Sequence, residues 1–267
     1  MDYTRLSTLQ YDLYSANPPR DAEVSLAHSV DLVWLGISEG HEKLQDPRVR
    51  RAIQLAVDVP AILAATTNNR SIQATGVVAP GLPGYRSSEV LKRDVNAARA
   101  LINEAGAEGT RLRLDFVNFT QRATSAQIIQ ANLAEIGIEV ELNAQDEGTF
   151  WSIDAASADM QLHLKSWTGN PDGFYMMQYF TSDQVGIWNW EGMQNAEYDA
   201  LVEKARVTLD DSERGALYVK MQDMMEDSGD FVFITHEGST VLSRKGMTAG
   251  TLPDGRPVFG AFVKAGD

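Results

Sequence analysis

The chain has 267 residues, 43% hydrophobic and 22% charged, with 23 Lys and Arg against 37 Asp and Glu and a net charge of −14. A chain of this length buries roughly 70–75% of the surface its unfolded form exposes, so neither metal nor disulfide is needed to hold a core. The acidity repels a polyanion and argues against a nucleic-acid partner, and no apolar run approaches the ~20 residues of a bilayer-spanning helix, so membrane insertion is not expected. With no cysteine and only four histidines, thiolate chemistry is excluded, a zinc cluster is disfavoured, and no cofactor is implied.

In chain order, residues 1–29 contain Asn17-Pro18-Pro19 and read as a loosely structured or extended crossover segment. MDYTRLSTLQ lacks the basic and apolar regions of a signal peptide. A β-prone run follows at 29–37, and Asp46-Pro47 then supplies an N-cap and a first-turn proline for a helix burying Val49, Ile53, Ala56 and Val57. A second short helix is predicted over 59–67, and a long irregular connection with Gly76, Pro80, Gly81, Pro83 and Gly84 occupies 68–93. Loops of that length usually do something. The pattern then becomes helix 94–105, strand 111–117, helix 121–136 and strand 138–143, with Gly106 and Gly137 as helix stops. A helix between two such strands predicts a parallel pair. Helix 147–157, strand 159–165, an aromatic helix from Phe174, helices 195–209 and 211–227, and strand 231–237 complete the reading; a Gly- and Pro-rich tail covers 246–267. The fold class is α/β, with a mixed, mostly parallel sheet flanked by helices.

Several motifs carry a chemical alternative. No GxGxxG follows a strand and no GxxxxGK[ST] occurs, so those phosphate cradles are absent. Gly36-Ile37-Ser38-Glu39-Gly40 matches the GxSxG nucleophile elbow, with Asp172 or Asp230 and then His236 in triad order. An α/β hydrolase using Ser38 is therefore the enzymatic alternative, although the elbow needs a helix at once and the next helix waits for Pro47. His41-Glu42 and His236-Glu237 each lack the second histidine of a metal motif. Met176, Met177, Met221, Met224 and Met225 read as core. In KSWTGNPDGFYMMQYF, Trp167 offers an apolar wall, Gly169 permits close backbone approach, and Asn170 and Asp172 offer acceptors for an ammonium or amide. The same residues also describe a capped turn, with Asp172 as the N-cap and Trp167 in the core.

Five segments in order resemble the extracytoplasmic solute-binding proteins of ABC importers, in the class of dipeptide-, oligopeptide- and nickel-binding proteins. DPRVRRAIQLAVDVPAI at 46–62 resembles D-x-R-V-R-x-A-I-x-x-A-I-D, VNAARALINEAG at 95–106 resembles A-x-x-L-L-x-E-A-G, and AQIIQANLAEIGIEVEL at 126–142 resembles I-Q-x-x-L-x-x-I-G-I-x-V. DMQLHLKSWTGNPDGF at 159–174 resembles the W-x-G-D-x-D-P region, and residues 195–234 resemble the closing helices and strand.

The resemblance implies a type II periplasmic-binding-protein lobe, here the second, C-terminal one. Residues 1–29 would be the crossover, 30–245 the lobe, and 246–267 a tail returning to a first lobe that precedes this region, with Met1 an internal or artificial start. It implies a periplasmic or extracytoplasmic receptor without catalysis, whose partners are a peptide or related small solute, the N-terminal lobe and an ABC permease. In the family the tryptophan loop faces the cleft, and in peptide binders an aspartate there holds the α-amino group. This loop is shorter and puts Asn170 where an Asp is expected, so the resemblance implies either that Asp172 substitutes or that it belongs to the later Asp-Pro-Asp element and caps the helix. The ligand-binding set implied is Trp167, Thr168, Gly169, Asn170 and Asp172, with Asn189 and Trp190 as cleft wall and Arg122 for a carboxylate. A non-transport interaction domain of the same fold is the remaining alternative.

Overall fold

Side-chain caps and glycine stops set most of the helix ends. The computed structural model describes residues 2–88, 90–152, 160–248, 250, 252 and 256–264. Its elements are β1 (Tyr3–Arg5), α1 (Thr8–Ala16), β2 (Ala22–Ile37), α2 (Pro47–Ala56), α3 (Val59–Thr67), α4 (Val95–Ala105), β3 (Arg111–Val117), α5 (Thr120–Ala134), β4 (Glu139–Gln145), α6 (Glu147–Trp151), β5 (Leu162–Trp167), α7 (Phe174–Met177), α8 (Ala196–Val207), α9 (Asp211–Asp227), β6 (Phe231–Arg244), β7 (Met247–Thr248) and β8 (Val263–Lys264). Asp46, Asp58, Asp94, Asn195 and Asp210 each accept a backbone N–H in the first turn of their helix, a cap contributing about 1 kcal/mol. Gly106 closes α4 in the left-handed region at φ 63°, which glycine adopts without steric cost.

The main sheet has the order β1-β6-β2-β5-β3-β4. It is mixed, as expected, but its parallel part is confined to β4–β3 and β3–β5, while β5–β2, β2–β6 and β6–β1 are antiparallel. The α5 crossover accounts for the β3–β4 pair. The expectation of a mostly parallel sheet fails because β2 and β6 run antiparallel beside each other over most of their length and form the longest ladder of the sheet. The leading segment also differs from its extended reading. It forms β1 and α1, and Ser7 and Gln10 close a capping box at the helix start, the S-x-x-Q spacing being the signal. The strand expected at 29–37 reaches back to Ala22, so position 29 lies inside a strand. Part of the helix expected at 147–157 and the start of the strand expected at 159–165 lie outside the described residues.

Alternation along the central strands sorts two cores. Val33, Leu35, Ile37, Leu114, Phe116 and Leu164 pack under the residues of α2 to α5, while Leu32, Trp34, Phe231 and Phe233 pack under Met176, Met177, Tyr198, Met221 and Met225. The long 68–93 connection covers this second side, and Arg86 anchors it to α9 through Asp223 at 3.0 Å and Glu226 at 2.9 Å. Besides its apolar face, α2 buries Arg50. That guanidinium donates to the carbonyls of Leu44, Gln45 and Ser228 and pairs with Asp230 at 2.7 Å and Glu39 at 3.4 Å. One arginine therefore ties the start of α2 to the end of α9 and the start of β6.

Candidate functional site

The β2–β6 ladder is interrupted between Ala27 and Asp31, where four steps along β2 match two along β6. The bulge gives a bend in the two longest strands, and a cleft opens beside it at the carboxyl ends of the parallel strands, the usual ligand end of such sheets. Its volume is about 570 Å³ and its lining includes Val117 at the end of β3, Glu147 just after β4, Ser166 and Trp167 at the end of β5, and Thr168. Asp31 and Glu237 enter from the bulged strands, and Trp151, Tyr175, Tyr179 and Trp188 add an aromatic wall. Trp167 stacks on Tyr179 at 4.8 Å with 20° between planes, and Trp188 tilts against Trp167 at 5.2 Å. A second hollow of about 340 Å³ shares Asp31, Phe119 and Glu237, so the two form one groove along the bulged strands.

Trp167 and Thr168 therefore line the cleft, and Gly169 supports it. A Cβ on Gly169 would stand 2.2 Å from the Val30 carbonyl oxygen, so only glycine lets the tryptophan loop lie on the bulge. Asn170 is exposed beyond the lining. The Asp172 carboxylate accepts from the Tyr218 hydroxyl and the Phe174 N–H and lies 3.5 Å from Arg214. Burial and that carboxylate together push the Tyr218 hydroxyl well above its usual range. Asp172 thus ties the turn to α9, while the N-cap position of α7 falls to Gly173, with no side-chain cap. Asn189 is a buried hub, donating to the carbonyls of Phe180, Thr181 and Met193 and accepting from Gly192 N–H. Trp190 is also buried, against Phe150 and Trp151. Trp188, two residues earlier, is the member of that segment that faces the cleft. Arg122 is buried and spans both oxygens of Glu237 at 2.8 and 2.9 Å.

Sequence reasoning missed Asp31, Glu147, Trp151, Tyr175, Tyr179, Trp188 and Glu237. The density of aromatic residues between 174 and 190 was the available signal for the wall, but periodicity assigned it to a core helix. Asp31 and Glu237 become neighbours only through a pairing across some two hundred residues. Ser38 lies at the end of β2, where its N–H donates to the Gln161 carbonyl at 2.8 Å. A short turn at 42–44 follows and α2 begins at Pro47, so the strand-to-helix elbow of a hydrolase is not formed.

His236, next to Glu237 on β6, borders an apolar hollow behind the bulge. Burial pushes its imidazole down to about 4, against the opposing pull of the Gly76 and Val30 backbone carbonyls. The unfolded chain then binds a proton near pH 6.5 that the folded chain refuses until about 4. Stability is full above 6.5 and falls as pH drops through that window, by roughly 3 kcal/mol in all at 1.36 kcal/mol per unit. Urea unfolding of the unsubstituted chain and of His236→Gln at pH 7 and pH 4.5 measures this; the substitution is expected to shift the difference between the two pH values by about 2 kcal/mol in favour of pH 4.5, and an unchanged difference refutes the assignment.

The fold thus places an aromatic cleft with three carboxylates beside the bulged pair of long strands. A family profile described as bacterial extracellular solute-binding proteins, family 5 middle, matches residues 2–186, and the chain belongs to that family. It is 31% identical over 222 residues to a di/tripeptide-binding protein 2 of Pseudomonas aeruginosa, covering 79% of this chain and 41% of that protein. To a dipeptide-binding protein of Escherichia coli it is 26% identical over 245 residues, covering 85% and 45%. The structure superimposes on a dipeptide-binding protein of a Pseudoalteromonas species in complex with Met-Leu, with a TM-score of 0.86, 20% identity and coverage of 98% of this chain and 54% of that one. A similar match, with a TM-score of 0.86 at 19% identity, is to HbpA2 of Haemophilus parasuis, covering 98% and 54%. The chain thus spans about half the length of these relatives. Among the described residues no helix is long and apolar enough to cross a membrane.

Proposed function

We propose that this chain supplies one wall of the ligand cleft of an extracytoplasmic receptor for an ABC importer, that it performs no catalysis, and that its ligand is a short peptide. The observation that carries the reading is the aromatic cleft lined by Asp31, Glu147 and Glu237 beside the bulged strands. Aromatic faces accept apolar side chains, and carboxylates there suit an ammonium. In this reading Trp167 and Thr168, with Tyr179 and Trp188, form the side-chain surface. Asp31, Glu147 and Glu237 take over the amine contact assigned above to Asp172, which acts as loop support together with Gly169 and Asn170. Arg122 meets a ligand carboxylate by giving up part of its pairing with Glu237.

The names of the curated relatives, di- and tripeptide-binding proteins, support this ligand class. Residues before and after the bulge, on β2 and β6, then connect to the first lobe, and the bulge is the hinge. Contacts made only when both lobes meet the ligand stabilise the closed form, which the membrane permease reads. The test is a fluorescence titration with Met-Leu, using this chain and a two-lobed protein containing it. Saturable binding is expected for the two-lobed protein and at least tenfold weaker binding for the chain alone. Trp167→Ala in the two-lobed protein is expected to weaken binding at least tenfold, about 1.4 kcal/mol. Equal affinity of chain and two-lobed protein, or an unaffected Trp167→Ala variant, would overturn the reading.

A further inference from the structure

Beneath the aromatic wall lies a group of charges that ligand contact does not explain. Lys165 is on β5 two residues before Trp167, on the same side of the sheet, and it is 1% exposed. Its ammonium lies 3.9 Å from the centre of the Trp190 ring and 5.5 Å from that of Trp34, and it donates to the Trp188 carbonyl at 3.4 Å. Glu191, fully buried, accepts from Trp34 Nε1 at 2.7 Å and from His163 Nε2 at 2.9 Å. Its own backbone carbonyl receives the Glu39 N–H at 2.8 Å. Gly36 makes room for this group: a Cβ there would stand 2.0 Å from His163 Nε2 and 2.5 Å from Glu191 Oε1.

Apart from the Lys165–Trp34 contact, every charge-bearing contact in this group ends on the stretch Trp188–Glu191. That stretch has no regular secondary structure, so neither a helix ladder nor a main-sheet strand fixes where Trp188 points. Trp188 itself is 40% exposed on the cleft.

We propose that Lys165 is a positioning residue of the binding wall: its buried ammonium, under Trp190 and against the Trp188 carbonyl, holds the 184–193 loop so that Trp188 faces the cleft. The proposal rests on the reading of the cleft as the ligand site, but it concerns the order of a loop and is tested without ligand. Burying an ammonium is costly unless opposite charge and acceptors surround it. Here Glu191 supplies the charge and the indoles and one carbonyl the remaining contacts. Burial lowers the Lys165 ammonium to about 8, against the pull of Glu191, so the clasp is charged at neutral pH and lost in mild alkali. The other titratable groups facing it are His163, whose imidazole burial pushes down, and Asp115 on β3, held by Arg113 at 2.9 Å and by Asn143 and Gln145. Beyond Glu191 lie Asp230 and Glu39 on Arg50.

Amide hydrogen exchange, read by mass spectrometry and corrected for intrinsic rate, measures the loop against β3 and β4 in the same sample. For Lys165→Met the amides of 184–193 are expected to exchange at least tenfold faster, with β3 and β4 unchanged. In the unsubstituted chain the loop is expected to lose protection relative to β3 between pH 7 and pH 9.5, with a midpoint near 8, and Lys165→Met to show no such step. A loop unchanged by the substitution, or protection lost equally across the sheet, overturns the proposal. Should Lys165→Met not fold, the pH series on the unsubstituted chain decides: a loop that tracks β3 to pH 9.5 overturns it. The result is independent of whether Met-Leu binds.

Discussion

Replacing Glu191 with Ala is expected to destabilise the chain by about 3–5 kcal/mol, the cost of leaving one member of a buried charge pair alone. The substitution strands the Lys165 ammonium, removes the acceptor of Trp34 Nε1 and releases His163. Burial alone would raise the Glu191 carboxyl; Lys165, His163 and the Trp34 hydrogen bond outweigh it and hold it at about 2, so this carboxylate is charged throughout the working range. The sign of the pH effect identifies the mechanism. Without Glu191, Lys165 is depressed further below its unfolded value near 10.4. The unfolded chain then binds more protons than the folded one over that window, and the variant gains stability as pH rises. Thermal unfolding at pH 7 should show a midpoint lower by on the order of 10 °C, with a smaller deficit at pH 9.5. Equal deficits at the two pH values would mean that lost packing, not a stranded charge, is responsible.

Arg50→Met is expected to cost a comparable amount, about 3–5 kcal/mol. Methionine fills much of the volume but abandons the Leu44, Gln45 and Ser228 carbonyls and leaves Asp230 buried without its cation. Burial already pushes Asp230 up to about 8 against the opposing pull of Arg50. Removing the guanidinium raises it further, so the folded variant holds a proton that the unfolded chain has released above pH 4. Its deficit should therefore widen as pH rises from 7 to 9.5, where the unsubstituted chain has released the proton that the variant still holds. Urea unfolding at those two pH values measures it. A deficit below 1 kcal/mol at both would show that the arginine is not what joins α2 to α9 and β6.

These two residues illustrate how differently a motif and a cluster read from sequence. Arg50 sits inside DPRVRRAIQLAVD, one of the five segments that carry the family resemblance, and its position in the chain was legible. Its purpose was not, because an arginine in a helix reads as solvated surface until the three carbonyls it meets are assembled around it. Glu191, Lys165 and His163 carried no sequence signal. They come from β5 and from an irregular segment 26 residues later, and nothing in the spacing shows that a glycine on β2 leaves space for them.

The candidate site divides along the same line. Trp167, Thr168 and Gly169 were visible because turn chemistry after a strand is local. Asp31, Glu237 and Trp188 were not, since their meeting depends on an antiparallel pairing of β2 with β6 and on the path of a loop with no periodicity. Arg122 was offered for a ligand carboxylate, and its burial against Glu237 was not legible, because that pairing joins residues far apart in the chain.

The sequence by itself determined most helices from α2 onward, most strand positions and the α/β class, because caps, glycine stops and hydrophobic period act over a few residues; the family was legible through the resemblance of five ordered segments. Tertiary structure alone decided that the sheet is mostly antiparallel, that the leading segment folds onto it, and which aromatic and acidic side chains share a cleft. Those outcomes rest on pairings between residues far apart in the chain. Their register is selected by burial across the whole sheet, and no local pattern encodes it.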